Sequence, residues 1–213
     1  FRFRTMDGHL QRAEGAMRVI SLNDGTRAWL VQFISNEMKR DISGIDSVTG
    51  TLSMHSFFEQ VFQTIHLESA QGHLSDYCPT YFNVTNFRLY NSIHGMSAGN
   101  RCLKRIAVEL GRHFPTALIT RLSADGFAVL APRDDLFLNI EAVCHKIDAY
   151  IRNQNIRLKA GICWLQGDDE QRVRHAFDMA KVACDTIKMD ANRCWAVYSR
   201  NMGEILKKRA FVL

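Results

Sequence analysis

Apolar and polar residues recur along this chain in patterns that predict its elements. Phe1 and Phe3 alternate with Arg2 and Arg4, Asp7-Gly8 reads as a turn, and a second run extends through Val19-Ile20. Asn23-Asp24-Gly25 turns again before Trp29-Leu-Val-Gln-Phe-Ile34, so residues 1–34 are expected to form three antiparallel strands. Residues 35–46 are polar and helix-compatible, which suits a connector. Met54, Phe57, Phe58, Val61, Phe62 and Ile65 then fall at helical spacing, the mark of a core-facing stripe, and residues 66–77 carry the Gly and Ser of a loop.

The second half alternates strands with helices. Tyr81-Phe-Asn-Val84 reads as a short strand, followed by a polar turn and the segment Phe87–His94 before Gly95. A helix carrying Leu103, Ile106, Ala107 and Leu110 on one face stops near Pro115, and two strands follow. Ile140, Val143, Cys144 and Ile147 share one side of a further helix; Ile156, Leu158, Ala160 and Ile162 alternate with Arg157, Lys159 and Gly161 as a half-buried strand would. Asp168-Asp169 can cap a helix whose apolar set is Val173, Ala176, Phe177, Ala180, Ala183, Cys184 and Ile187. Cys194–Tyr198 is the last strand, and 200–209 reads as a departing helix. The core order is strand, helix, strand, strand, helix, strand, helix, strand. It predicts an α/β protein, an α+β sandwich of the βαββαβ kind with about five strands covered by helices.

Composition excludes several classes. Apolar residues make up 46% and charged residues 23% of the 213 positions, ordinary for a soluble globular chain. No apolar run approaches the roughly 20 residues that cross a bilayer, so no membrane segment is expected. The net charge is +5, but Lys207-Lys208-Arg209 is the longest basic run, too little for a nucleic-acid footprint. The six cysteines show no CxxC spacing, and the eight histidines form neither HxxxH nor HExxH, so no metal is assigned to them. Buried free thiols in a reducing cytoplasm are expected instead. Because Phe1 opens inside a strand-like pattern, the chain is expected to be a piece of something longer.

One stretch carries candidate chemistry. In Thr120–Leu130 two apolar runs flank Ser123-Ala124-Asp125-Gly126, and Asp125-Gly126 can take the positive φ angles of a tight hairpin. The residues alone leave two readings open, a plain turn or a hairpin tip that faces a nucleotide.

Taken together, the motifs resemble those of the GGDEF domain, the diguanylate cyclase family that condenses two GTP into cyclic di-GMP. Asp46-Ser-Val-Thr-Gly50 is similar to the family's "D-x-L-T-G", Asn83-Val-Thr-Asn-Phe87 to "D-I-D-x-F", and Asn91 through Asn100 to "N-D-x-x-G-H-x-x-G-D". Ser123-Ala124-Asp125-Gly126-Phe127 stands where "G-G-D-E-F" belongs, preceded by Arg121-Leu122; Ala160-Gly-Ile162 is similar to "S-I-G-I", and Lys188 occupies the lysine of "A-K-x-x-G-R-N". The likeness runs from about Asp46 to Ser199. It implies a nucleotidyl-cyclase-like sheet, GTP with Mg²⁺ as the ligands, and a homodimer meeting across the nucleotides.

The departures qualify that implication. The resemblance assigns one metal carboxylate to position 83, which is Asn, and a second to Asp125, which survives; both are expected to be vestigial metal ligands. The acid at the fourth signature position is Gly126, and the two glycines that admit phosphate are Ser123 and Ala124. Asn91 keeps the guanine-edge amide, Phe87 is kept, and Asn100 replaces the aspartate that would accept from the base. Lys188 is kept for phosphate, while the following arginine is Asn192, with Arg193 one place out of register. The family's inhibitory product site would fall on Phe114 and Ala117 and is absent. Losing one preorganised charge-stabilising group costs ~10²–10³ in rate, and several are altered here.

The expectation is a degenerate, regulatory GGDEF module that is non-catalytic, sensing GTP or mediating dimerisation; the alternative is a weakly active diguanylate cyclase. Residues 1–40 resemble the closing strands of a PAS sensor domain, 41–200 the GGDEF domain, and 201–213 the start of a linker to a downstream domain such as an EAL phosphodiesterase. A βαββαβ order also builds RNA-recognition modules, and Asp125-Gly-Phe-Ala-Val129 faintly echoes their aromatic strand. The second stacking aromatic and the basic strand residues are missing, so no nucleic-acid partner is expected.

Overall fold

The computed structural model describes residues 2–4, 10–12, 14–21, 27–34, 44–151 and 156–203. The chain divides into two compact units, Phe1–Gly44 and Ile45–Leu213.

In the first unit, β1 (Arg2–Arg4) pairs antiparallel with β2 (Leu10–Arg12), and β3 (Glu14–Ser21) with β4 (Arg27–Ile34). The run expected as one middle strand therefore serves two separate ladders, giving four strands in two pairs among the described residues. The Asp7-Gly8 and Asn23-Asp24-Gly25 turns, most of the 35–46 connector and the departing helix beyond Gly203 lie outside the described residues.

The second unit is a five-stranded mixed sheet flanked by helices, as the βαββαβ order requires. Its elements are α1 (Met54–Ala70), β5 (Tyr77–Val84), α2 (Phe87–His113), β6 (Leu118–Arg121), β7 (Gly126–Pro132), α3 (Leu136–Tyr150), β8 (Leu158–Ile162), α4 (Glu170–Thr186) and β9 (Trp195–Val197). The strand order is β6-β7-β5-β8-β9, antiparallel except for the β8–β9 pair. Strand alternation divides the core into two layers. Phe82, Val84, Phe127, Val129, Ala131, Leu158, Ala160 and Ile162 turn to α2 and α3, where Leu103, Ile106, Ile140, Val143 and Ile147 meet them. Ala128 and Leu130 turn the other way, to Phe57, Val61 and Ile65 of α1 and Val173 and Phe177 of α4, while Tyr81 meets Ala176, Ala180 and Cys184 of α4. Burying each large side chain contributes about 1.5–3 kcal/mol, and here both sheet faces are covered. Among the described residues no helix is long and apolar enough to cross a membrane.

Several boundaries differ from the sequence pattern. The helix does not stop at Ile65: α1 runs to Ala70, where the Gln71 N–H bonds back to the Glu68 carbonyl and the Gly72 N–H to that of Ser69, so residues 66–70 of the stretch read as a loop are its last turn. On α1 the stripe that meets the sheet is Phe57, Val61 and Ile65. Met54 on the first turn is 56% exposed, and Phe58 and Phe62 lie half-buried beneath the Arg174 guanidinium. Strand β5 begins four residues before Tyr81, through Pro79. A strand residue points its N and its carbonyl to the same side, and the Pro79 carbonyl accepts from Cys163 N at 3.0 Å, beyond the last β5–β8 pair. The missing donor thus falls where the ladder has already ended, and the central strand tolerates the proline. Strand β8 is buried on both faces rather than half-buried, with Lys159 only 3% exposed.

Candidate nucleotide site

The signature hairpin is tied down from both ends. Leu122 N and Ser123 N donate to the Gly126 carbonyl at 2.9 and 3.2 Å, leaving Ser123-Ala124-Asp125 as the tip. Arg121 straps that tip: its Nε donates to the Ser123 carbonyl at 3.1 Å and its Nη2 to the Ala124 carbonyl at 2.9 Å. The same guanidinium lies 3.9 Å from Asp46, whose Oδ1 accepts from Val48 N, Thr49 N and Thr49 Oγ1. Asp46 therefore shapes its own turn, closed by Gly50 at φ 73°, and links it to the hairpin. Neither Asp125 nor Gly126 has positive φ, which corrects the turn chemistry expected for that pair.

Gly126 is instead a residue of β7, and its lack of a side chain answers a packing need. A Cβ there would stand 2.0 Å from Tyr81 Oη and 2.6 Å from Ser123 Oγ. Tyr81 and Asn83 share the sheet face that Gly126 and Lys159 occupy on the neighbouring strands. The Tyr81 hydroxyl reaches Ser123 Oγ at 3.4 Å, and Ser123 Oγ donates to Asp125 Oδ1 at 3.3 Å. Burial pushes the Tyr81 phenol above its usual range, with the Asp125 charge adding to the rise against the Ser123 hydrogen bond, so it stays a neutral donor.

The candidates fall into three groups. Asn83, 3% exposed, donates from Nδ2 to the Asp125 carbonyl at 3.4 Å, and Val84 N donates to that same carbonyl at 2.9 Å. Thus Asn83, Ser123 and Asp125 form one network, with Ala124 exposed at its tip and Phe127 buried beneath. Asn91 and Asn100 lie on α2 on either side of Gly95, whose φ of 79° and ψ of 159° interrupt the helix. The kink folds Gly99 against the Asn91 amide: a Cβ on Gly99 would stand 1.9 Å from Asn91 Oδ1, an atom that is buried with no hydrogen-bond partner. Phe87, buried and stacked on Tyr90 at 6.2 Å, supports that corner.

Lys188 stands just past α4, with Nζ 2.7 Å from Asp185 Oδ1. Burial would lower its pKa, but the Asp185 ion pair outweighs this and raises it. Lys181 binds the other Asp185 oxygen at 3.4 Å. Arg193 turns back within its loop to Asp190 Oδ2 at 2.6 Å. Sequence reasoning passed over Tyr81, Lys159 and Asp185. The only available signal was Tyr81 falling two residues before Asn83, hence on the same strand face. A cavity of about 990 Å³ lies elsewhere, along the first half of α4 between Cys163, Trp164, His175 and Tyr198, and no motif residue lines it.

Sheet order, helix placement and hairpin define an α/β domain of nucleotidyl-cyclase-like fold. The family model described as "Diguanylate cyclase, GGDEF domain" matches residues 43–193, and the chain belongs to that family. Among solved structures it is similar to the coiled coil and GGDEF domain of DgcB from Caulobacter crescentus in complex with c-di-GMP (16% identity, 76% of this chain and 88% of that one, TM-score 0.62). It is also similar to the GGDEF domain of YfiN (TpbB) from Pseudomonas aeruginosa (21%, 76% and 99%, TM-score 0.60). A third is Vibrio cholerae LapD, S helix-GGDEF-EAL, bound to c-di-GMP (13%, 83% and 44%, TM-score 0.56). At these identities the likeness is one of fold. No curated protein matches the chain.

Proposed function

We propose that this GGDEF domain is a catalytically inactive regulatory module of a bacterial cyclic di-GMP signalling protein, acting in the cytoplasm between a PAS sensor and an effector such as an EAL phosphodiesterase. The observation that carries this reading is the Tyr81 hydroxyl lying where a fourth signature side chain would need to go. The family's reaction needs Mg²⁺, a hard cation that takes charged oxygen ligands. The donor set at this hairpin is one carboxylate, Asp125, and one amide, Asn83, whose Nδ2 already faces the Asp125 carbonyl. These residues do not fit a pair of divalent ions, and no step of a condensation is derived through them.

GTP binding is a separate matter. The buried, unpartnered Asn91 Oδ1 is an orphan acceptor, which costs about 1–3 kcal/mol and which a guanine N–H would relieve once the amide turned away from Gly99. On the other sheet face, Lys188 and Lys181 offer positive charge within electrostatic reach of Tyr81 and the hairpin, already half-spent on Asp185. In this reading GTP occupancy, or homodimer formation, is what the domain passes to its neighbour.

The deciding experiment incubates the protein with GTP and Mg²⁺ or Mn²⁺ and seeks cyclic di-GMP by chromatography, with a calorimetric GTP titration alongside. No product is expected. Detectable turnover would favour the second reading, a feeble diguanylate cyclase, which the surviving Asp125 carboxylate at the tip supports.

A further inference from the structure

Two cysteines outside the nucleotide site touch each other. Cys144 of α3 and Cys194, the residue leading into β9, share a hydrogen bond between their thiols, and both pack on the core layer that α3 covers. The same two elements are already joined alongside, where Trp195 Nε1 donates to Glu141 Oε1 at 3.0 Å, one turn along the same helix face. A covalent link here would reinforce an existing contact rather than impose a new one.

The two thiols are unequal. Cys144 is 1% exposed, while Cys194 is only partly buried. The hydrogen bond from Cys144 holds the Cys194 thiol below its ordinary range; Cys144, as the donor and by burial, is pushed up. The other four thiols are all raised by burial, Cys78 and Cys184 to about 12 and Cys102 and Cys163 to about 11, so they keep their protons.

We propose that Cys144 and Cys194 are an oxidisable dithiol, with Cys194 the attacking and Cys144 the resolving residue, and a low-molecular-weight disulfide the oxidant. In the first step the Cys194 thiolate attacks one sulfur of the small disulfide, forming a mixed disulfide and releasing one small thiolate. That thiolate takes the Cys144 proton. The Cys144 sulfur then attacks the Cys194 sulfur, and the second small thiolate leaves and is protonated by solvent. The protein loses two protons and two electrons, and the small disulfide is reduced to two thiols.

The linkage bears on the loop before β9. Lys159 Nζ donates to the Asp190 carbonyl at 2.6 Å and the Arg193 carbonyl at 2.5 Å, and Ala160 N donates to the Cys194 carbonyl at 2.7 Å. A Cys144–Cys194 bond would fasten this loop to α3.

The test exposes the reduced, folded chain to oxidised glutathione, alkylates the remaining thiols, and reads intact mass and cross-linked peptides. The expected result is loss of two of the six thiols, a 144–194 cross-link and no retained glutathione. Cys144→Ala should retain one glutathione on Cys194, and Cys194→Ala should retain all five of its thiols without an adduct. Circular dichroism checks that each variant folds, with Cys144→Ser and Cys194→Ser in reserve. Six surviving thiols in the native chain, a lasting adduct on its Cys194, an unmodified Cys194 in Cys144→Ala or a bond between any other pair would overturn the proposal.

Discussion

The Tyr81 hydroxyl on β5 occupies the space that a side chain on residue 126 of β7 would require, with Tyr81 Oη 2.0 Å and Cζ 2.7 Å from a Cβ at that position. The two residues are offset by two along paired strands, Gly126 lying directly opposite Asn83, and they face the same layer. Tyr81 is 2% exposed and held among Ala176, Ala180 and Cys184, so its ring cannot swing away cheaply. Gly126→Ala should therefore destabilise the domain by about 1–3 kcal/mol, the usual cost of overpacking. Tyr81→Leu in the same chain should recover part of that loss. Urea unfolding of the two singles and the double checks this, and a Gly126→Ala midpoint equal to wild type would refute the packing account.

Lys159 supports the loop that precedes β9, and its burial sets the scale of the effect. Its ammonium is satisfied by the carbonyls of Asp190 and Arg193. Lys159→Met keeps the apolar stem but strands two acceptors, so a loss of about 1–3 kcal/mol is expected, with faster amide exchange at Ala160. Lys181→Met removes only a half-exposed pair 3.4 Å from Asp185 and should change stability by no more than about 0.5 kcal/mol. Parallel thermal melts with hydrogen exchange separate the two; equal effects would mean that the Lys159 contacts carry no more weight than a surface pair.

Asp190 gives that loop a pH dependence of known sign. Hydrogen bonds from Arg193 and Asn192 hold its carboxyl well below the usual carboxylate range. A group whose folded pKa is lowered contributes stability above its unfolded value, near 4, and loses that contribution as pH falls toward the lower folded value. Asp190→Asn should thus be less stable than wild type at pH 7 and converge with it in acid. The side chain is partly exposed and that of its partner Arg193 largely so, so the effect should be small and weakened by salt. Unfolding free energies across pH 2–7 test it; a constant gap between the two proteins would contradict the linkage.

Much of the fold was legible in the sequence because its helices are strongly periodic. Ile140, Val143, Cys144 and Ile147 are all buried on α3, and the whole apolar set of α4 follows an Asp169 cap that accepts from Arg172 N. Boundaries were lost where a local signal and the tertiary structure disagree. Pro79 hides the first half of β5 because its missing donor matters only if a neighbouring strand reaches it. Lys159 reads as the solvent face of a strand because no local pattern reveals two carbonyls brought in from 31 and 34 residues away. At the candidate hairpin the motif spacing singled out Asn83 and Asp125, which the structure brings into contact, but it did not single out Tyr81, whose hydroxyl reaches Ser123 beside them. Its effect depends on a glycine 45 residues distant, and cross-strand register is not written in either segment alone.

Register also decides which reversions could revive chemistry under the regulatory reading. Asn83→Asp restores a carboxylate, and Asn100→Asp restores the acid that the resemblance assigns to the base. Rebuilding Ser123-Ala124-Asp125-Gly126 as the family signature also puts an acid at 126, and that acid would meet Tyr81 at 2.0 Å. Single reversions should yield no cyclic di-GMP, because each leaves other deficits of ~10²–10³ in place. The combined signature reversion should fail too while Tyr81 remains, through misfolding or a displaced hairpin. Adding Tyr81→Leu is the change that makes room, so activity is expected to emerge only in that background. Product formation with GTP and Mn²⁺, measured by chromatography on soluble, folded variants, provides the check. Turnover in the reverted protein with Tyr81 intact would show that the phenol does not block the site.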